Sequence, residues 1–451
     1  MEIVSINPWN LETVERFTAH TDAEANAIIE SVDSAFHSWK KTSFSERSTL
    51  MHNLGEVLIK NKETYAAHIT SEMGKPISES IAEIEKCAWV CHFYADNAEQ
   101  FLAPRMVETD ASKSYVRYDP LGVIYAIMPW NFPFWQVLRF MAPTLMAGNT
   151  AIFKHAPNVS RCALDIEEAA IEAGFPENTF RTLLLTNEQG SAIIKHEKVR
   201  AVSLTGSERA GEAVASTAGS VLKPSVLELG GSNAVIVLED ADLEAAVDTG
   251  FRARFLNSGQ SCIAGKRFLV MDSIHDAYVK QFKQKVATLT FNDPTDSSTK
   301  IGPLARVDLA EGIERQVNES VVKGATLEMG GKRDGAKYDA TILTNVKPGM
   351  PAFDEELFGP VASFVRVKDF DEAITLSNQS SFGLGVTICT GNEAKALERV
   401  HEFDEGAVFI NELVKSDPRL PFGGIKRSGF GRELSAEGIH EFVNAKTVYV
   451  K

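Results

Sequence analysis

A chain of 451 residues with a formal net charge of −15 is too long for one hydrophobic core, so two or more large domains are expected. The acidic balance and the lack of any Lys/Arg run exclude a duplex-binding surface, which must displace counterions from phosphates, and 44% apolar with 24% charged residues excludes fibrous and low-complexity classes. Five cysteines are sparse and odd in number, which argues for reduced thiols; with neither a leader peptide after Met1 nor an uncharged run of membrane-spanning length, a cytoplasmic protein without a membrane partner is expected.

In chain order, the first hundred residues read as helices. Thr21 and Glu24 form a capping box, after which Ile28, Val32, Ala35 and Trp39 share one helical face. Leu50, Leu54, Val57 and Leu58 mark a second helix, and Ile81, Ile84, Ala88, Cys91 and Ala95 another. Cys87 and Cys91 read as buried core thiols, because no second ligand pair stands at metal-site spacing; no metal is expected. Residues 114–118 alternate like an exposed strand. From Gly122 short β-rich runs (123–128, 150–154, 181–185, 201–205) alternate with helical patterns (134–147, 160–173, 188–196, 207–217). That rhythm predicts an α/β fold with parallel strands covered on both faces. A second such series begins near Gly230, and the stretch 218–232 reads as a domain junction, where a site is expected. The tail 447–451 is a further short strand; it and 114–118 need partner edges, within the chain or in another subunit.

Three segments carry chemistry. Asn257-Ser258-Gly259-Gln260-Ser261-Cys262 is a polar loop ending in a cysteine, which is either a nucleophile or a small buried hydrophobe. Val226-Leu227-Glu228-Leu229-Gly230-Gly231 sets a carboxylate in an apolar strand. Such a group has a raised pKa that suits a general base, unless it serves as the buried partner of an arginine. Pro129-Trp130-Asn131-Phe132-Pro133 is a rigid turn that projects an amide, an uncharged donor suited to an oxyanion. No G-x-G-x-x-G follows a strand, and the Gly259–Lys266 stretch fails the P-loop spacing.

Together with Phe153-Lys154, Thr205-Gly206-Ser207, Glu356-Leu357-Phe358-Gly359-Pro360 and Pro421-Phe422-Gly423-Gly424, these segments stand in the order found in the aldehyde dehydrogenase superfamily, which the chain resembles over essentially its whole length. The resemblance implies a Rossmann-like cofactor domain (1–113, 129–229 and 405–436), a catalytic domain (230–404), and oligomerisation strands (114–128 and 437–451) of a homodimer or homotetramer. It implies that Cys262 attacks the aldehyde, that Asn131 and the Cys262 N–H hold the oxyanion, and that Glu228 activates the water that hydrolyses the thioester. NAD or NADP would lie against Ile127, Pro129 and Trp130, with Lys154 and Pro157 at its adenosine end and Gly190 also in contact with it. Ser207 would meet its pyrophosphate and Glu356 its nicotinamide ribose, with Phe358 packed nearby; Leu229 and Gly230 would also contact the cofactor. Many NAD+-preferring members have a Glu where this chain has Pro157, so NADP+ is expected to be accepted.

Within the superfamily the chain looks most like the bacterial succinate-semialdehyde dehydrogenases, through Phe134-Trp135-Gln136-Val137-Leu138-Arg139, Lys154-His155-Ala156-Pro157 and Ser416-Asp417-Pro418-Arg419. This implies an aldehyde pocket lined by Trp135, Ser261 and Phe422, with Arg139 clamping the distal carboxylate and Ser416 or Arg419 assisting. An arginine found in some members six residues before the cysteine is replaced by Leu256. That departure leaves a medium aliphatic or aromatic aldehyde as the alternative substrate.

Overall fold

The computed structural model describes residues 1–451. The first correction falls at the N-terminus. The chain opens with an antiparallel hairpin, Glu2–Ile6 with Thr13–Thr18, where helices were expected. Ile3, Ser5 and Phe17 are buried, and the Ser5 hydroxyl donates to the Asn158 carbonyl at 3.0 Å. Packing against a distant segment thus decides an element too short to announce itself by periodicity. The capping box at Thr21 and Glu24 is present and starts the helix Asp22–Trp39. Its buried stripe is Ala25, Ile29, Val32, Phe36 and Trp39, spaced 4, 3, 4 and 3 as a helix face requires, so Ile28 and Ala35, expected on the buried face, lie at its margin and are only partly buried.

Two large sheets follow. In the first, the strands run in the order Gly429–Phe430, Ser225–Glu228, Val199–Thr205, Val123–Met128, Thr150–His155, Phe180–Thr182. All neighbours are parallel except the pair at the Gly429 edge. The second is a seven-stranded sheet, centred on Val361–Val367, Gly265–Met271 and Asn233–Val237. Each sheet has an apolar cluster on either face, which is why its strands read as continuous apolar runs. No helix is long and apolar enough to cross a membrane.

Two expected boundaries move. Val123–Met128 was grouped with the oligomerisation strands, yet it lies at the centre of the six-stranded sheet between Thr150–His155 and Val199–Thr205. All but one of its six residues are buried, and burial on both faces demands that central place. Val408–Ile410 was assigned to the cofactor domain, but it pairs in parallel with Val386–Cys389 at the edge of the seven-stranded sheet. The terminal strand Val443–Val450 pairs along its whole length with Lys113–Pro120 of the same chain. These two strands therefore satisfy each other, and Val443–Val450 remains the outer edge of a three-stranded sheet.

Candidate active site

The functional segments converge because they all leave the C-terminal ends of parallel strands. Met128 leads into Pro129–Asn131, Thr205 into Gly206-Ser207, and Glu228 into Gly230-Gly231, while Lys154 sits near the end of Thr150–His155 in register with Ile127. These ends face the loop Leu256–Cys262 that descends from the other sheet's domain.

That loop is held under strain. Asn257, Ser258 and Gly259 take left-handed backbone conformations in succession (φ 54°, 53° and 76°), which costs non-glycine residues about 1–2 kcal/mol each. Local hydrogen bonds offset the cost. The Asn257 amide donates to the Asn131 carbonyl at 2.7 Å and to the Gln260 carbonyl at 3.1 Å. Glu79 accepts the Asn257 N–H at 2.8 Å. Lys266 donates to the carbonyls of Ser261 and Cys262 at 2.8 and 2.9 Å. Close approach is built in as well: a Cβ on Gly231 would stand 2.6 Å from the Cys262 carbonyl oxygen, and one on Gly230 2.6 Å from Glu356 Oε2.

Cys262 lies where two cavities meet. The larger, of about 450 Å³, is walled by Trp130, Lys154, Pro157, Ser207, Glu356 and Phe358 among others. The smaller, of about 190 Å³, includes Trp135, Arg139, Ser261, Ser416 and Phe422. Cys262 and Gln136 belong to both walls. Burial pushes the Cys262 thiol up to about 11, against the pull of Lys266 and Arg139. The Asn131 amide donates to the Gln260 carbonyl at 3.1 Å; an NH₂ group has two protons, so one remains to be offered.

The larger cavity suits a dinucleotide. Lys154 is buried, and its ammonium has only the Asn187 side-chain oxygen at 3.1 Å and the His155 carbonyl at 3.4 Å as partners. It is an unneutralised cation awaiting an acceptor, and burial holds its pKa below the ordinary lysine value. Ser207 caps the helix Glu208–Ser220, whose free N–H groups are an anion seat. Glu356 Oε1 takes the Gly231 N–H at 3.0 Å and lies 3.2 Å from the Lys266 ammonium, while Oε2 receives no donor within the protein. Phe358 stands edge-on to Trp130, with ring centres 5.6 Å apart. Ile127, Pro129, Leu229 and Gly230 also line this wall. Gly190 does not: it packs behind Lys154, where a Cβ would lie 3.8 Å from Lys154 Cδ.

Three expectations need correction or refinement. Arg139 does line the smaller cavity, but its guanidinium is ion-paired with Glu433, both groups being buried, and it lies 4.7 Å over the Phe422 ring. Its charge is therefore already matched. Arg419 points away; it is mostly exposed and pairs with Asp417 at 2.7 Å. Glu228 is buried at its strand end, with neither carboxylate oxygen hydrogen-bonded, and lines neither cavity. Desolvation and the nearby Glu433 hold its carboxyl well above the usual range, despite Arg139 and Arg432. Sequence reasoning missed Lys86, Glu79 and Glu433. Glu79, Glu83 and Lys86 do carry a signal: they stand at i, i+4 and i+7 of the helix Ile77–Phe101, a charged stripe on one face.

A thiol on the walls of both a dinucleotide-sized cavity and a smaller one lined by aromatic and charged side chains is placed for covalent capture of a carbonyl with hydride removal. Known proteins agree. The aldehyde dehydrogenase family model matches residues 1–448. A probable succinate-semialdehyde dehydrogenase [NADP(+)] of Synechocystis sp. is 48% identical over 100% of both chains. Succinate-semialdehyde dehydrogenase [NADP(+)] 1 of Mycobacterium tuberculosis is 45% identical, again over 100% of both. The crystal structure of the Streptococcus pyogenes succinic semialdehyde dehydrogenase in complex with NADP+ superposes with a TM-score of 0.97 at 35% identity, covering 99% of each chain. Motif order, strand-end geometry and full-length similarity converge on one assignment: the chain belongs to the aldehyde dehydrogenase family.

Proposed function

We propose that this chain oxidises succinate semialdehyde to succinate with NADP+ as hydride acceptor. The observation that carries the reading is the place of Cys262 on the walls of both cavities at once. Cys262 Sγ attacks the aldehyde carbon, and the oxygen becomes an oxyanion within reach of the Asn131 amide and the Cys262 N–H. Loss of hydride from that carbon leaves a thioester. Glu228 takes a proton from water, the hydroxide adds to the thioester carbonyl, and Cys262 departs as thiolate. Because Glu228 lines neither cavity, its side chain must swing toward Cys262 for this step. In the larger cavity Lys154, Ser207 and Glu356 would hold the dinucleotide, which would supply the hydride acceptor.

NADP+ rather than NAD+ is favoured by the wall near Lys154, where Pro157 and Asn187 stand; the one carboxylate that lines the cavity, Glu356, belongs with Phe358 and Gly230 instead. Pro157→Glu is expected to shift the ratio of kcat/KM for NADP+ over NAD+ toward NAD+ by about 10–100-fold, the effect of roughly 1–3 kcal/mol of like-charge repulsion against a 2′-phosphate. An unchanged ratio would place the discrimination elsewhere.

The pH dependence has a definite sign. The reaction needs Cys262 as thiolate and Glu228 as carboxylate, and burial raises the pKa of both. With an uncharged aldehyde, kcat/KM is therefore expected to climb with pH through neutrality toward the thiol's about 11. A plateau already reached at pH 6 would require a thiolate stabilised by something other than the free enzyme's own groups.

The decisive experiment follows NADPH formation with succinate semialdehyde, butanal and benzaldehyde as substrates. A preference for succinate semialdehyde supports the reading. Preference for the uncharged aldehydes would favour the second reading, a medium aliphatic or aromatic aldehyde, which the neutralised Arg139 and the walls of Phe132, Trp135, Leu256 and Phe422 support. We also propose that the open edge at Val443–Val450 joins copies of the chain into a homo-oligomer.

A further inference from the structure

The smaller cavity contains three cations, and their partners differ. Arg139 is held by the buried carboxylate of Glu433. Lys415 is half-exposed and pairs with Glu412 at 3.1 Å. Lys86 has no carboxylate partner: its ammonium donates to the Ser416 hydroxyl at 2.8 Å and lies 4.1 Å above the Trp135 ring. The acidic groups around it are engaged elsewhere. Glu83 takes the Lys75 ammonium and the N–H groups of Phe134 and Trp135, both at 2.9 Å. Asp417 is occupied by Arg419. A largely desolvated ammonium with only a hydroxyl and an aromatic face for company is costly unless a ligand supplies the missing anion. The hydroxyl of Ser416 and the indole face of Trp135 fix where that ammonium points, toward the cavity that also contains Cys262.

We propose that Lys86, oriented by Ser416 and Trp135, is the residue that binds the carboxylate of the aldehyde acid and sets the preference for it, while Arg139 serves to hold Glu433 beside Glu228. This rests on the reading of the substrate as an aldehyde with a distal carboxylate. It assigns specificity to the helix Ile77–Phe101, on which Lys86 lies, rather than to the helix that follows the Asn131 turn. A further consequence concerns pH. Burial, reinforced by the Arg139 charge and opposed by Cys87, Glu83 and Asp417, pushes the Lys86 ammonium down to about 8. Glu79 also lines the cavity, its carboxyl raised by burial to about 7 and drawn back by Lys75 and Lys300. Above about pH 8 the cavity would thus lose the positive charge that recognises the substrate.

The test measures kcat/KM for succinate semialdehyde and for butanal across pH 6–10 in the wild-type chain, K86M, K86R and R139M. Dividing one value by the other cancels the ionisations of Cys262 and Glu228, which act on both substrates. In the wild type the ratio is expected to fall as pH rises through about 8. K86M should lower the ratio at pH 7 by about 10–100-fold, the loss of one charge-assisted hydrogen bond, and should flatten its pH dependence. K86R should restore the ratio at pH 7 and hold it to higher pH. R139M is expected to reduce kcat for both substrates and leave the ratio near the wild-type value. If R139M collapses the ratio while K86M spares it, Arg139 is the clamp and the proposal is overturned. If the wild type shows no preference for succinate semialdehyde over butanal, the substrate reading itself fails, a result distinct from a preference that survives in K86M.

Discussion

Glu228→Gln is expected to release one equivalent of NADPH per active site in a rapid burst and then to turn over about 10³-fold more slowly than the wild type. The size follows from the usual contribution of a general base, about 10²–10⁴-fold. The shape follows from where the proposed mechanism has the base act: capture by Cys262 and hydride loss would not need it, whereas hydrolysis of the thioester would. Trapping the acyl-enzyme by acid quench and measuring the mass added to Cys262 checks the assignment directly. The geometry makes the variant informative because both Glu228 oxygens are buried with no hydrogen bond to lose. A carboxyl whose pKa is raised on folding binds its proton more tightly in the native state, so in its ionised form it costs stability above its unfolded value. The neutral amide removes that cost, and the variant should melt at or above the wild-type temperature. A variant that lacks the burst as well would assign Glu228 to deprotonation of the Cys262 thiol, ahead of hydride transfer.

How the site is assembled was legible in the sequence to the extent that it depends on local chemistry. The strand ends at Met128, Lys154, Thr205 and Glu228 were visible because parallel strands buried on both faces leave unbroken apolar runs that stop at polar turns. Cys262 and Glu228 stood out as reactive types in segments where glycine permits close approach. Pairing between distant side chains was not legible. Arg139 and Glu433 are far apart in sequence and meet only through the packing of the Trp135–Met146 helix against the segment following Phe430, so the apparent clamp could not be recognised as an ion-paired group. The N-terminal hairpin was hidden for a similar reason, since Asn158 and neighbouring segments decide its burial. Even Glu79, Glu83 and Lys86, which fall on one helical face, gave no hint of which would be neutralised by Lys75 and which left free.

Arg254→Leu is expected to destabilise the protein by roughly 3–5 kcal/mol and to reduce kcat by at least about 100-fold. The Arg254 guanidinium is fully buried and donates to the carbonyls of Gly259 at 2.7 Å, Gly359 at 2.6 Å, Leu357 at 3.3 Å and Gly265 at 3.2 Å. One side chain thereby staples the loop ahead of Cys262 to the Glu356–Pro360 turn. Leucine matches much of the volume but leaves these carbonyls with fewer donors in a water-free site, at about 1–3 kcal/mol for each group left unsatisfied; Gly359 keeps the Val361 N–H. Activity falls for a second reason. The left-handed conformations of Asn257 and Ser258 persist only while surrounding bonds over-determine them, and Gly259, the next residue, loses its anchor. Relaxation of that turn would carry Cys262 away from Asn131 and displace Glu356 in the wall of the larger cavity together, so with the proposed cofactor KM for NADP+ should rise as kcat falls. Arg254→Lys, which retains a charge but not the fork of donors, should recover part of the stability and little of the activity. Denaturant unfolding monitored alongside initial rates separates the two effects: a variant as unstable as expected but with wild-type kcat at low temperature would show that Glu79, Lys266 and the Asn257 amide suffice to hold the loop without Arg254.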